Sequence, residues 1–250
     1  NSSDQPRRLE AIYTLGAMGP AALAPLLESL INVEGQGRID PPYVQNEDGS
    51  YSVNAVMEAQ RRWTEGGYIF QDEAYALGRL GEVAIDPLRQ LLQSKDPWIV
   101  INAAFALGQI GYPAARAIVD LTVLLESADH RVLRAILESI ACIGSNTEAA
   151  LPAIKKILRT DRETWHQDTD LPYLVGDQIH FNAALALLSS DLPIMVMEDF
   201  LLELLERPAD RNFVQAIALE VLLRNPSESS LPQVLKYLQV HCWDDTEMSY

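Results

Sequence analysis

The sequence predicts an all-α protein, a solenoid of about six helix pairs stacked in chain order into one right-handed curved rod. Three observations predict it. A short block recurs: Ala11 to Gly19 "AIYTLGAMG", Glu73 to Gly81 "EAYALGRLG" and Ala103 to Gly111 "AAFALGQIG". The closing glycines recur at 30 residues (Gly81 to Gly111) and at 33 (Gly111 to Gly144), the length of a two-helix unit. No stretch alternates apolar and polar residues for long enough to build a sheet.

Each block reads as the first helix of a pair. Ala, Ala and Leu at helical intervals make a face small enough for a neighbouring helix to lie close. The closing glycine fits the left-handed position that ends a helix. A second amphipathic helix follows: "PAALAPLLESLI", "EVAIDPLRQLLQ", "YPAARAIVDLTVLL" and "TEAALPAIKKIL". Asp96, Asp129 and Asp210 then stand where a carboxylate can cap the next helix. "ILESIACIG" (136–144) is a looser copy, and 183–191 and 216–224 keep the helix but lose both glycines. The reading is a single domain over residues 1–250.

Regularity breaks twice. Residues 33–67 are turn-rich, with Gly35, Gly37, Pro41, Pro42 and Gly49, and an extra helix is expected toward their end. Residues 160–176 read "TDRETWHQDTDLPYLVG". Both insertions are acidic and aromatic. They can wall a groove and anchor a partner, or fold back over the solenoid's own core, and both readings stand.

"DPWIVINAAFALGQIG" (96–111) and "DHRVLRAILESIACIG" (129–144) resemble HEAT repeats, of the short type also found in phycobilin lyases. The resemblance covers most of the chain and fails in the insertions. It implies a HEAT-like superhelix. The Arg usual in such repeats after the first helical valine is missing at Val100, which implies an incomplete Asp–Arg ladder between repeats. Such solenoids host many functions, so the fold does not name one.

Composition narrows the partners. The net charge is −16, from 35 acidic and 19 basic side chains. Phosphate backbones and anionic bilayers require Lys and Arg, so nucleic acid and membrane are not expected. A protein or peptide of neutral or basic character is. Cys142 and Cys242 belong to no cluster, which reads as a reducing, cytoplasmic setting. Cys142, beside Ala141, is expected to be a buried core residue. No run of 18 apolar residues exists, and the chain enters a helix almost at once, compatible with a piece of a longer polypeptide.

Function is read as a non-catalytic, protein- or peptide-binding scaffold. The expected contact residues are Trp98, Asn102, Arg131, Arg134, Trp165 and His180, because Trp and Arg dominate binding hot spots. His180 is expected to open a repeat helix and face its neighbour, and His130 to be exposed. No cofactor is expected.

The alternative is an accessory domain or subunit of an enzyme. One enzyme of similar repeats, deoxyhypusine hydroxylase, holds iron with His-Glu pairs. No His-Glu dipeptide occurs in this chain, so that activity is not implied. Resemblance to phycobilin lyases implies a bilin, with no residue singled out to hold it. "WHQD" (165–168) is similar to the His-x-Asp step of phytanoyl-CoA dioxygenases, which implies His166 and Asp168 as Fe(II) ligands. The last repeat and tail look like helical extensions of that family, which implies a catalytic domain elsewhere in the same polypeptide. Against a metal stand the missing β scaffold and a loop setting without evident support.

Overall fold

The computed structural model describes residues 5–32, 72–127, 129–160, 172–206, 212–224 and 227–241. Twelve α-helices lie among them, in six consecutive pairs, with no strand among the described residues. The protein is an all-α, HEAT-like helical-repeat structure. It divides into two compact units, residues 1–106 and 107–250.

The first unit holds α1 (Gln5–Ala17), α2 (Leu23–Asn32), α3 (Asp72–Leu80) and α4 (Glu82–Leu91). It also takes the N-terminal part of α5 (Pro97–Ile110). α1 and α2 both pack against α3. Ala74, Ala76, Leu77, Ala84, Ile85 and Leu88 are fully buried between the pairs. Each large aliphatic among them contributes about 1.5–3 kcal/mol by leaving water. Ser29 Oγ donates to Glu73 Oε1 at 2.7 Å, and Arg79 lays its guanidinium 4.0 Å from the Tyr13 ring centroid.

The second unit continues with α6 (Ile118–Leu124), α7 (His130–Ile143), α8 (Leu151–Arg159) and α9 (Pro172–Leu188). It ends with α10 (Ile194–Leu205), α11 (Asn212–Arg224) and α12 (Leu231–His241). α9 packs on α7, α8 and α11, so the first helices α7, α9 and α11 meet in succession. Arg159 forms a two-armed ion pair with Glu203 of α10, at 2.9 and 2.6 Å, above the Phe200 ring.

The two glycines of the repeated Leu-Gly-x-x-Gly do different work. The first permits close approach. A Cβ on Gly108 would sit 3.1 Å from the Ser139 Cα, and one on Gly16 would sit 2.7 Å from the Arg79 Cβ. The second makes the turn, but not always in the expected conformation. Gly144 is left-handed, at φ 65° and ψ 8°. Gly81 (φ 69°, ψ −138°) and Gly111 (φ 72°, ψ −142°) instead take a region nearly closed to any residue with a Cβ. There the chain goes directly into the second helix of the pair, or into its leading 3-10 turn at Tyr112–Ala117, instead of bridging a loop.

The expected caps form at Asp96 and Asp129. Trp98 N donates to Asp96 Oδ1 and Arg131 N to Asp129 Oδ1, both at 2.9 Å. A serine two residues earlier accepts from each aspartate's own N–H: Ser94 at 3.1 Å and Ser127 at 3.2 Å. The stop is therefore a Ser-x-Asp unit that turns the chain and starts the next helix. Asp210 lies outside the described residues.

Three expectations are corrected. α9 starts at Pro172, inside the stretch read as an insertion to 176. Proline suits a helix's first turn, and Gly176 inside a helix costs only about 1 kcal/mol, so neither marked a break. His180 therefore lies in the middle of its helix instead of opening it. Cys142 lies on the exposed side of α7 and not in the core, though its thiol is partly enclosed.

Candidate functional site

α7 shows how the repeat makes a surface. Val132, Leu133, Ala135, Ile136, Leu137, Ser139, Ile140 and Ile143 are buried. After the helix's first residue, the positions left at least partly open are Arg131, Arg134, Glu138, Ala141 and Cys142. At intervals of three and four residues they form a single stripe. α9 repeats the pattern with Gln178, Phe181, Asn182 and Leu185. Phe181 is 43% exposed, unusual for an aromatic on a packed helix.

Two contacts set the register between the helices. Arg134 Nη1 donates to Gln178 Oε1. At the other end, a Cβ on Gly144 would lie 3.0 Å from the Ser189 carbonyl oxygen. α7 and α9 thus run parallel, with Glu138 at the level of Asn182, one turn beyond the Arg134–Gln178 bond. The two stripes form one band.

The band's electrostatics are graded. Arg131 folds back on Asp129, with Nε 3.1 Å from Oδ1 and Nη2 2.9 Å from Oδ2. Burial pushes the Asp129 carboxyl up, but the hydrogen bonds and charge of Arg131 outweigh it and hold the carboxyl below its ordinary value. Glu138 goes the other way. Burial raises its carboxyl above the ordinary range, and the charge of Arg134 offsets this only in part. Cys142 is raised in turn, by burial and then by the Glu138 charge, so its thiol stays protonated and is a poor nucleophile.

The expected contact residues separate. Trp98 and Asn102 belong to the first unit, and Arg131, Arg134 and His180 to the second. Trp98 is half-buried in the first turn of α5. Asn102 is 2% exposed, and its Nδ2 donates to the Trp98 carbonyl at 2.8 Å. His180 is fully buried, with Nε2 3.1 Å from the Ile157 oxygen and 3.0 Å from the Thr160 oxygen at the end of α8. Carbonyls only accept, so the proton sits on Nε2. Both residues serve the fold where they stand. His130 is half-buried. Trp165, His166 and Asp168 lie outside the described residues. Among the described residues no three His, Cys, Asp or Glu side chains gather as metal ligands would.

Sequence reading singled out Arg131 and Arg134 but missed Glu138, Gln178 and Phe181. The signal was present in part: apart from Arg134, Glu138, Ala141 and Cys142, every position of α7 from 132 to 143 is an apolar or small side chain that the core claims. The partner stripe on α9 was hidden by placing the start of that helix too late.

Residues 74–94, the α3–α4 pair, match the family model of the PBS lyase HEAT-like repeat. No curated protein matches the chain.

Proposed function

We propose that this HEAT-like helical-repeat scaffold binds a protein or peptide, and that the α7–α9 band is a contact surface. One observation carries the reading: Arg134, Glu138, Gln178 and Phe181 share one band in fixed register, on helices whose other described positions lie mostly in the core. An exposed ring flanked by arginine and amide groups is the composition of a binding hot spot. Rigid helices hold these groups at little entropic cost to a ligand. Trp98, half-buried at the start of α5, is proposed as a separate contact in the first unit. Asn102 and His180 support the helices behind such surfaces and take no direct part. Trp165 and the acidic loops remain proposed anchors.

The test is panning of a random peptide display library, about twelve residues long, on the full chain. Enriched peptides are expected to bind the native protein and to lose affinity about tenfold or more on Arg134→Ala with Phe181→Ala. The circular dichroism of that variant should be unchanged. Absence of any enriched peptide, or binding indifferent to the double variant, would overturn the assignment of this band.

A further inference from the structure

We infer that the outer side of the last helix pair, α11 and α12, binds the same side of a second copy of this chain. The inference concerns a different surface from the α7–α9 band and does not depend on peptide binding. α8 and α12 open on one pattern: Leu151-Pro152-Ala153-Ile154-Lys155 and Leu231-Pro232-Gln233-Val234-Leu235. Ile154 and Val234 are both buried, so the two helices turn the same side inward. The flanking positions differ. Leu151 is 7% exposed and Leu231 is 46% exposed. Lys155 reaches the following pair, with Nζ 3.4 Å from the Val196 oxygen and 5.3 Å from the Phe200 ring centroid. Leu235 stands in its place on α12 and is 49% exposed. Among the described residues no helix pair follows α12.

α11 shows the same open joint. In the repeated block the sixth residue, Gly16 or Gly108, meets the seventh residue of the next first helix, Arg79 or Cys142. Leu188 and Arg224 continue the series: Arg224 Nη1 donates to the Leu188 oxygen at 3.3 Å. The residue before Arg224 is Leu223, which therefore takes the place that faces a following pair, and it is 48% exposed. Leu223, Leu231 and Leu235 thus share the side that earlier pairs cover. An internal repeat presents apolar groups there, whereas a terminal repeat needs a polar outer face.

Charge selects the occupant. The chain carries −16, which holds copies apart over most of its surface. From Ala216 to Val240 the charged residues are Glu220, Arg224, Glu228 and Lys236, two of each sign. Arg224 is itself paired with Glu220, at 3.4 Å. Two copies meet here without net repulsion. A two-fold arrangement sets leucine against leucine, and the same patch serves both partners.

The test is the mass of the full chain in solution, by light scattering across a wide range of concentration. The mass should rise from 27.8 kDa to twice that value and stop there. Leu223→Ser with Leu235→Ser should weaken the association about tenfold or more and leave the circular dichroism unchanged. Leu235→Lys restores the residue that α8 carries, so it is expected to fold and to weaken the dimer as well. Met195→Ser, at an 82% exposed position on α10, should leave the dimer intact. A chain that stays at 27.8 kDa throughout would overturn the inference and show that something else covers this side. Growth beyond a dimer would overturn the two-fold pairing. A dimer that survives in Leu235→Lys and in the double serine variant would place the contact elsewhere and also overturn it. None of these outcomes bears on peptides selected through Arg134 and Phe181.

Discussion

Gly108 of α5 and Ser139 of α7 touch through their backbones: a Cβ added at 108 would stand 3.1 Å from the Ser139 Cα. Two first helices of successive pairs are thereby locked at short range. A methyl at 108 gains about 1 kcal/mol of helix propensity and loses about 1–3 kcal/mol to overpacking against a backbone that cannot step aside. Gly108→Ala should therefore be destabilising by about 1 kcal/mol, and Gly108→Val by more, in urea unfolding followed by circular dichroism. An unchanged or raised midpoint for Gly108→Ala would show that the helices can part.

The turn glycines fail for a different reason. Gly111→Ala would meet nothing closer than 3.9 Å, but its φ of 72° is strained for any L side chain. A loss of about 1–3 kcal/mol is expected. Gly144 sits in the milder left-handed region, at ψ 8°, so Gly144→Ala should cost less than Gly111→Ala even though its Cβ would lie 3.0 Å from the Ser189 oxygen. The order of the two unfolding midpoints checks this.

His180→Ala removes the N–H that serves two carbonyls at the end of α8 and leaves a cavity in a fully buried site. The expected loss is about 3 kcal/mol. Peptides selected on the native chain should keep their affinity for this variant at temperatures where it is folded. A selective loss of binding would return His180 to the contact surface.

The two shifted carboxylates on α7 give opposite pH dependences. Asp129 is depressed in the folded chain, so its stabilisation is present above the unfolded pKa near 3.8 and disappears as pH falls through the lower folded value. Asp129→Ala should cost about 1 kcal/mol at neutral pH and progressively less in acid. Glu138 is raised, so its contribution is largest below the unfolded value near 4.5 and is lost as pH rises through the folded value. Glu138→Gln should therefore be more stable than the native chain at pH 7, with the difference closing in acid. Denaturation curves at several pH values test both signs.

Cys142 reports on the same charge. Its thiol is raised by burial and by Glu138, so alkylation by iodoacetamide should be slow at pH 8 despite its exposure. In a Cys242→Ser background, Glu138→Gln should speed that reaction. No change in rate would mean that Glu138 does not act on this end of the band.

Local chemistry determined much from sequence alone. Glycine spacing, small first helices and the caps at Asp96 and Asp129 are decided within one repeat, by φ restrictions and backbone hydrogen bonding, so six helix pairs could be read directly. Arg131 and Arg134 were also legible, as charges on a helix otherwise claimed by the core. What the sequence could not show is which side of each helix a neighbour would cover. That depends on contacts between residues 44 apart, such as Arg134 with Gln178, and on where α9 begins. Packing buried Asn102 and His180, two of the expected contact residues. The same packing left Cys142 open and Glu138 half-buried. Exposure belongs to the packed array, not to the residue, and only the tertiary structure could decide it.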